Sequence, residues 1–162
     1  MTTLSPTLQD ALNKQAQREL VASHTYLQAS FYFDVREFKG IAKYLRKESE
    51  DERTHALGIY DYILNRSGGV PSCLDVPAPQ ADWNSPQEVF QSILELERTY
   101  SVDINNLRTQ AIEAKDHGLE IFLSAYVTEQ ENSVAEWETL STKMDAYAAL
   151  PGLLFHLDAE LN

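Results

Sequence analysis

The stretch SGGVPSCLDVPAPQADWNS, residues 67–85, decides the fold, because it is long, rich in Gly, Pro and polar residues, and lacks any hydrophobic period. A helical pattern from Ile41 to about Arg66 precedes it. Ser85-Pro86-Gln87-Glu88 follows it with an N-cap, a proline in the first turn and a capping-box glutamate, which predicts a third helix over about 86–115. Working outward, Ser5-Pro6 starts a first helix over about 6–33, and a break at residues 34–40 leads into the second helix at 41–66. Asp116-His117-Gly118 reads as a tight turn into a fourth helix over about 119–147. Leu150-Pro151-Gly152 ends that helix, and a short apolar fifth helix over about 153–160 finishes the chain. The two short links make antiparallel hairpins, whereas the 19-residue stretch at 67–85 can cross the length of the bundle and set the second and third helices parallel. The reading is all-α: one domain over residues 1–162, a four-helix bundle with one long crossover and a short C-terminal helix.

Composition limits what such a bundle does. The chain has 162 residues, 43% of them hydrophobic and 23% charged, as expected of a globular domain with its own core. Acidic residues outnumber basic ones 25 to 13, for a formal net charge of −12, which repels phosphate backbones and argues against nucleic acid as a partner. Cations are the natural ligands. A single Cys73 excludes an intramolecular disulfide and a thiolate metal cluster. The absence of an apolar run of membrane-spanning length, and of basic and apolar signal segments at MTTLSPTLQD, leads us to expect a cytoplasmic protein with no membrane partner.

The heptad seams carry the chemistry. The first helix reads Leu8, Leu12, Gln15, Glu19, Ala22, Tyr26, Ala29, Phe33, and the second Ile41, Leu45, Glu48, Glu52, His55, Ile59, Tyr62, Arg66. The third reads Phe90, Ile93, Glu97, Tyr100, Ile104, Leu107, Ala111, and the fourth Leu119, Phe122, Tyr126, Glu129 or Gln130, Ser133, Trp137, Leu140, Met144. Each seam is apolar at both ends and polar at its middle. A buried carboxylate costs several kcal/mol, so Glu19, Glu52 and Glu97 together demand protons or cations, and no seam position beside them supplies Lys or Arg. Glu52-Arg53-Thr54-His55 places a carboxylate and an imidazole three residues apart on one helix face. Oxygen-rich donors with a single imidazole suit iron or manganese better than zinc.

Each of these residues alone has an ordinary reading as a solvated acid or a chance Glu-x-x-His; it is the coincidence of three seams that points to a metal. Glu19, Glu52 and His55 lie at similar distances from the first link, whereas Glu97 and Gln130 differ by about two helical turns in their distance from the Asp116–Gly118 turn. Tyr26 follows Glu19 by seven residues on the same face, and its phenol leans back toward the acids. A buried tyrosine is ordinarily a core ring hydrogen-bonded to a carboxylate; a redox or positioning role is the testable alternative. His24, His117 and His156 fit no ligand pattern.

The segments QRELVASHTYLQAS, YFDVREFKGIAKYLRKESEDERTHA, LELERTYS and FLSAYVTEQENS resemble non-haem ferritins, in order and over nearly the whole chain. Ferritin-like folds have the one-crossover bundle topology derived above. The resemblance implies a homo-oligomeric shell of 24 subunits, ferroxidase activity toward Fe(II) with O2 or peroxide at a di-iron centre, and a ferric mineral inside. By position it assigns Glu19, Glu52 and His55 to a first iron site, Glu52 and Glu97 to a second with Gln130 nearby, and Tyr26 to a tyrosine beside the centre.

The chain also departs from the proteins it resembles. Bacterioferritins carry a second Glu-x-x-His on the fourth helix, where this chain has Gln130 and Ser133, and a haem-ligating methionine where it has Arg53, so haem is not expected. Acids that serve a third iron in bacterial non-haem ferritins are replaced by Asn132 and Ser133, leaving Glu129 and Asp51. The fourth helix is more similar to animal heavy-chain ferritins, while the short first link is similar to bacterial ones. Of two acids lining a three-fold pore in animal ferritins, Glu120 aligns and the other position is Leu123. Glu48 and Asp51 extend the acidic flank beyond Glu52 and are expected to form a path for hydrated cations. A di-iron oxygenase, which normally pairs two Glu-x-x-His motifs, a DNA-protecting mini-ferritin with sites between subunits, and an inert bundle are the competing functions.

Overall fold

A computed structural model describes residues 3–150 and 152–162; the Pro151 position of the expected break falls outside the described residues. The described residues form five helices and no strand: α1 (Pro6–Asp34), α2 (Lys39–Leu64), α3 (Pro86–Glu113), α4 (His117–Ala148) and α5 (Leu154–Leu161). Two start signals act as their chemistry requires. Ser5 Oγ accepts the Leu8 amide at 3.2 Å, and Ser85 Oγ accepts that of Glu88 at 3.1 Å, caps worth about 1 kcal/mol each. The Glu88 carboxylate reaches back to the Asn84 amide at 2.8 Å, one residue before the cap itself.

Helices α1 and α2 pack as one hairpin, α3 and α4 as a second, and α1 lies along α3. The fourth side of the bundle is wide: among the described residues no Cα of α2 comes within 8 Å of one in α4. Buried apolar side chains fall into two clusters. One surrounds Phe33, Leu45, Phe90 and Trp137 near the α5 end, and the other surrounds Leu12, Ile59, Leu107 and Leu119 at the far end. Between them, the middle of every seam is polar.

The helix ends correct several expected boundaries. The first link occupies only 35–38, with Glu37 rather than a glycine at positive φ (66°), and Gly40 already belongs to α2. Helix α2 ends at Leu64. Arg66, just beyond it, is buried and forks onto Asp116, with Nη2 2.8 Å from Oδ2 and Nη1 3.2 Å from Oδ1. Asp116 also caps α4 by accepting the Leu119 amide at 3.1 Å. This double use of Asp116 moves the second turn forward: α3 stops at Glu113, Lys115 takes the positive φ (57°), and Gly118 lies inside α4.

The crossover is tied to α1 by amide side chains four residues apart. Gln9 Nε2 donates to the Val70 carbonyl at 3.1 Å, Asn13 Oδ1 accepts the Ser72 amide at 3.0 Å, and Gln17 Nε2 donates to the Asp75 carbonyl. Trp83 anchors its far end, buried against Tyr32, with its indole N–H on Ser92 Oγ at 3.1 Å. Within the first hairpin, Ser23 and Ser49 exchange bonds, each hydroxyl donating to the other's backbone carbonyl at 2.7 Å.

Helix α5 docks on the start of α2. Asp158 Oδ1 accepts the Ile41 amide at 2.8 Å, and a Cβ added at Gly40 would lie 2.0 Å from the Asp158 carbonyl oxygen. Gly40→Ala is therefore expected to displace α5 and cost about 1–3 kcal/mol. Thermal unfolding with proteolysis around residues 149–153 checks this; a variant matching the parent in both contradicts so tight a contact.

Candidate metal centre

Glu19 on α1, Glu52 and His55 on α2, Glu97 on α3 and Gln130 on α4 all occupy the polar belt between the two apolar clusters. Three glutamates are buried there, with Glu97 only 1% exposed. One oxygen each from Glu19 and Glu52 and one ring nitrogen of His55 lie within 4.8 Å of one another, a spacing that a single cation could span. His55 Nδ1 is 3.2 Å from Glu52 Oε2 and 3.9 Å from Glu19 Oε2, while Nε2 is 2.9 Å from Glu129 Oε2. A cavity of about 20 Å³ lies among Glu19, Glu52, His55, Tyr126, Glu129, Gln130 and Ser133, enough for one water-sized species.

Glu97 is held separately. Tyr26 donates its phenolic proton to one carboxylate oxygen, and Gln130 Nε2 donates to the other at 2.5 Å and to the Glu97 carbonyl at 3.0 Å. The mismatch in height expected between Glu97 and Gln130 shrinks because the second turn comes earlier. Counted from the helix ends at Glu113 and His117, the two residues stand 16 and 13 positions away (113 − 97 and 130 − 117), about one turn apart. The donors thus form two groups, a Glu19–Glu52–His55 group and a Glu97 carboxylate braced by Tyr26 and Gln130.

Burial sets the electrostatics. Glu19 has its carboxyl pushed well above the usual range, first by burial and then by the neighbouring Glu52 charge. Glu52 is likewise raised by burial, with the charges of Glu97, Glu48 and Asp51 acting in the same direction. Tyr26 is driven up by burial and by Glu97, so its phenol remains a proton donor. A bound cation would offset both the burial cost and the mutual repulsion that hold these protons on, so cation binding would release them.

The expected acidic flank lies on the wide α2–α4 side. Glu48, Asp51, Glu129 and Glu136 help to line a cleft of about 410 Å³ whose floor includes Glu52 and His55. Burial and the Glu136 charge raise Glu48 to about 7, while Asp51 is held by Lys47 at 2.6 Å. Glu129, exposed on α4, still reaches His55. Glu120 pairs with Arg108 at 3.1 Å, and Leu123 is fully buried in the core.

Three contributors escaped sequence reading. Gln15 donates to Glu19 Oε1 at 2.9 Å and itself accepts from Arg18 at 3.0 Å. Tyr44 donates to Glu136 at 2.7 Å across the cleft, and Tyr126 donates to the His55 backbone carbonyl at 2.9 Å. Gln15 and Tyr126 do stand in the polar seams, but their partners depend on inter-helix distances that a heptad does not state.

Fold and site together define a four-helix bundle protein with a carboxylate–imidazole site enclosed within one chain. A family model for the ferritin-like domain matches residues 9–146. The bacterial non-heme ferritin of Bacteroides fragilis is 34% identical over 159 residues, spanning 98% of both chains. That of Escherichia coli O157:H7 is 30% identical over 159 residues, spanning 98% of this chain and 96% of its own. An open-pore ferritin from Archaeoglobus fulgidus superimposes with a TM-score of 0.95 at 30% identity, over 99% of this chain and 98% of its own. The chain belongs to the ferritin family.

A pH dependence follows from the raised carboxyls. The folded protein keeps protons on Glu19, Glu52 and Glu48 that the unfolded chain releases near the ordinary glutamate value, so stability falls as pH rises from that value through about 8. Metal-free protein should melt at a lower temperature at about pH 8 than at about pH 5.5, and a divalent ion such as Co(II) should bind more tightly over the same rise. Calorimetry with chelator present, and titration with Co(II), check both; a melting temperature that rises across this interval contradicts the account.

Proposed function

We propose that this protein oxidises Fe(II) and stores the Fe(III) formed as a mineral. In this reading two Fe(II) ions bind within one subunit, and each loses one electron to dioxygen or peroxide. Glu19, Glu52 and His55 hold the first ion, Glu52 and Glu97 hold the second, and Gln130 flanks it. The observation that carries the reading is the burial of three glutamates at the middle of one bundle, two of them beside a single imidazole. Glu52 serves as the bridge, so two divalent ions nearly neutralise the set, and hard carboxylate oxygens stabilise the higher charge of the oxidised ion.

Tyr26, bonded to Glu97, is the group placed to orient that carboxylate or to supply an electron. Glu48 and Asp51 stand beside the centre, as acids along which hydrated cations pass between it and the interior of the shell. The reading includes a cytoplasmic homo-oligomer of 24 subunits. Leu27 and Phe31 on one face of α1, both exposed in the single chain, are apolar surface of the kind that subunit contacts cover. Among the described residues, no helix is long and apolar enough to cross a membrane.

Stopped-flow absorbance with stoichiometric Fe(II) and oxygen tests the centre. Glu19→Ala or His55→Ala should abolish rapid oxidation, a loss of at least about tenfold, with the assembled mass unchanged. Tyr26→Phe should leave iron binding intact and slow the decay of the transient. Wild-type rates in both ligand variants would sink the assignment, and identical transients would leave Tyr26 as a core ring.

Excess Fe(II) tests the path. Alanine at Glu48, at Asp51 or at both should spare the first two irons per subunit and slow the mineralisation that follows. Normal rates in both phases for all three proteins would leave these acids as a solvated face.

A further inference from the structure

The wide side of the bundle raises a question of geometry. His55 stands on α2 opposite α4, yet no Cα of these helices approaches within 8 Å, so the neighbouring backbone does not fix the imidazole by close packing. Two α4 side chains bridge the gap at this height: Glu129 meets the imidazole Nε2 at 2.9 Å, and Tyr126 meets the backbone that carries the ring. The Tyr126 phenol extends from α4, donates to the His55 carbonyl at 2.9 Å, and sets its ring edge-on to the imidazole with centroids 5.9 Å apart. Its own ring is steadied by Phe122 at 5.1 Å, which stacks on Tyr62 of α2 at 4.1 Å.

The receiving surface is matched to the phenol. Residue 58, one turn beyond His55, is glycine in the middle of a helix, where glycine costs stability relative to alanine. A Cβ built there would lie 2.7 Å from the Tyr126 hydroxyl oxygen but 4.0 Å from the ring carbon that bears it. The space that Gly58 leaves is therefore space for a hydroxyl, and a ring without that hydroxyl would fit beside alanine.

We propose that Tyr126 is a positioning residue for His55, and that Gly58 is the aperture through which its hydroxyl reaches the α2 backbone. The phenol sets the height and rotation of the imidazole between Glu52 and Glu129, and so the affinity of the centre for a divalent ion. The inference rests on the metal-centre reading above and adds a role for two residues outside the ligand set.

The test uses assembled protein, unaltered and as Tyr126→Phe, Gly58→Ala and the double variant, titrated anaerobically with Co(II) and followed by its visible absorption. Tyr126→Phe should weaken binding about fivefold to tenfold with the spectrum altered, since one orienting bond is lost. Gly58→Ala should do the same by pushing the hydroxyl out. Adding Gly58→Ala to Tyr126→Phe should weaken binding no further, and should raise the melting temperature by about 2–4 °C, because the clash is gone and helix propensity improves. Unchanged affinity in Tyr126→Phe, or additive weakening in the double variant, overturns the positioning role. If Co(II) binding by the parent is indifferent to His55→Ala, the metal-centre reading itself falls and this inference with it.

Discussion

Three carboxylates withdrawn from water in the middle of a helical bundle are the constraint from which the rest of the structure follows. The cost of burying such charges is several kcal/mol each after relaxation, comparable with the net stability of a whole domain. The chain meets it by dividing its core. Apolar clusters close the bundle above and below, so the acids sit in a belt flanked by packed side chains rather than at an open end. Within the belt no acid is left bare: Gln15 serves Glu19, Tyr26 and Gln130 serve Glu97, and Glu52 faces His55. Neutral donors and shared protons stabilise the buried acids without the Lys or Arg that would compete with a cation for the same oxygens.

The same constraint explains the asymmetry of the bundle. Three sides are closed by backbone approach, and the fourth is spanned by long side chains: Tyr44 to Glu136, Tyr126 to His55, Tyr62 on Phe122, and Arg66 on Asp116. In the proposed function a cation reaches the buried acids without unfolding the helices, and a side held open by phenols leaves a cleft lined by Glu52 and His55. Closeness on one side and width on the opposite side are two parts of one arrangement.

Much of this was legible in sequence because a heptad seam is a one-dimensional record of burial. Glu19, Glu52, His55 and Glu97 declared themselves as polar residues where apolar ones belonged, and the unpatterned 67–85 stretch stated the topology. What the seam does not record is contact across distance. Asp116 looks like a turn residue, and nothing local shows that Arg66, fifty positions earlier, claims it and thereby shifts the turn that brings Gln130 level with Glu97. Gly118 looked like the turn glycine for the same reason, whereas Lys115 takes the left-handed conformation. The reach of Tyr126 depends on the separation of α2 from α4, which emerges only when the whole bundle is assembled.

The exchange of bonds between Ser23 and Ser49 bears on how the first hairpin tolerates change. Each hydroxyl is satisfied by the other's backbone, so sliding α1 past α2 by a turn would break both bonds at once and carry Glu19 about 5 Å from its place beside Glu52 and His55. The vertical alignment of the two helices is thus gauged from inside the hairpin, a few residues from the centre it serves. The link at residues 35–38 has no such duty. Its exposed positions 35–37 carry no part of that alignment, while Phe38 packs on Phe33 and Phe155, and the registry of the buried acids is held by two small hydroxyls.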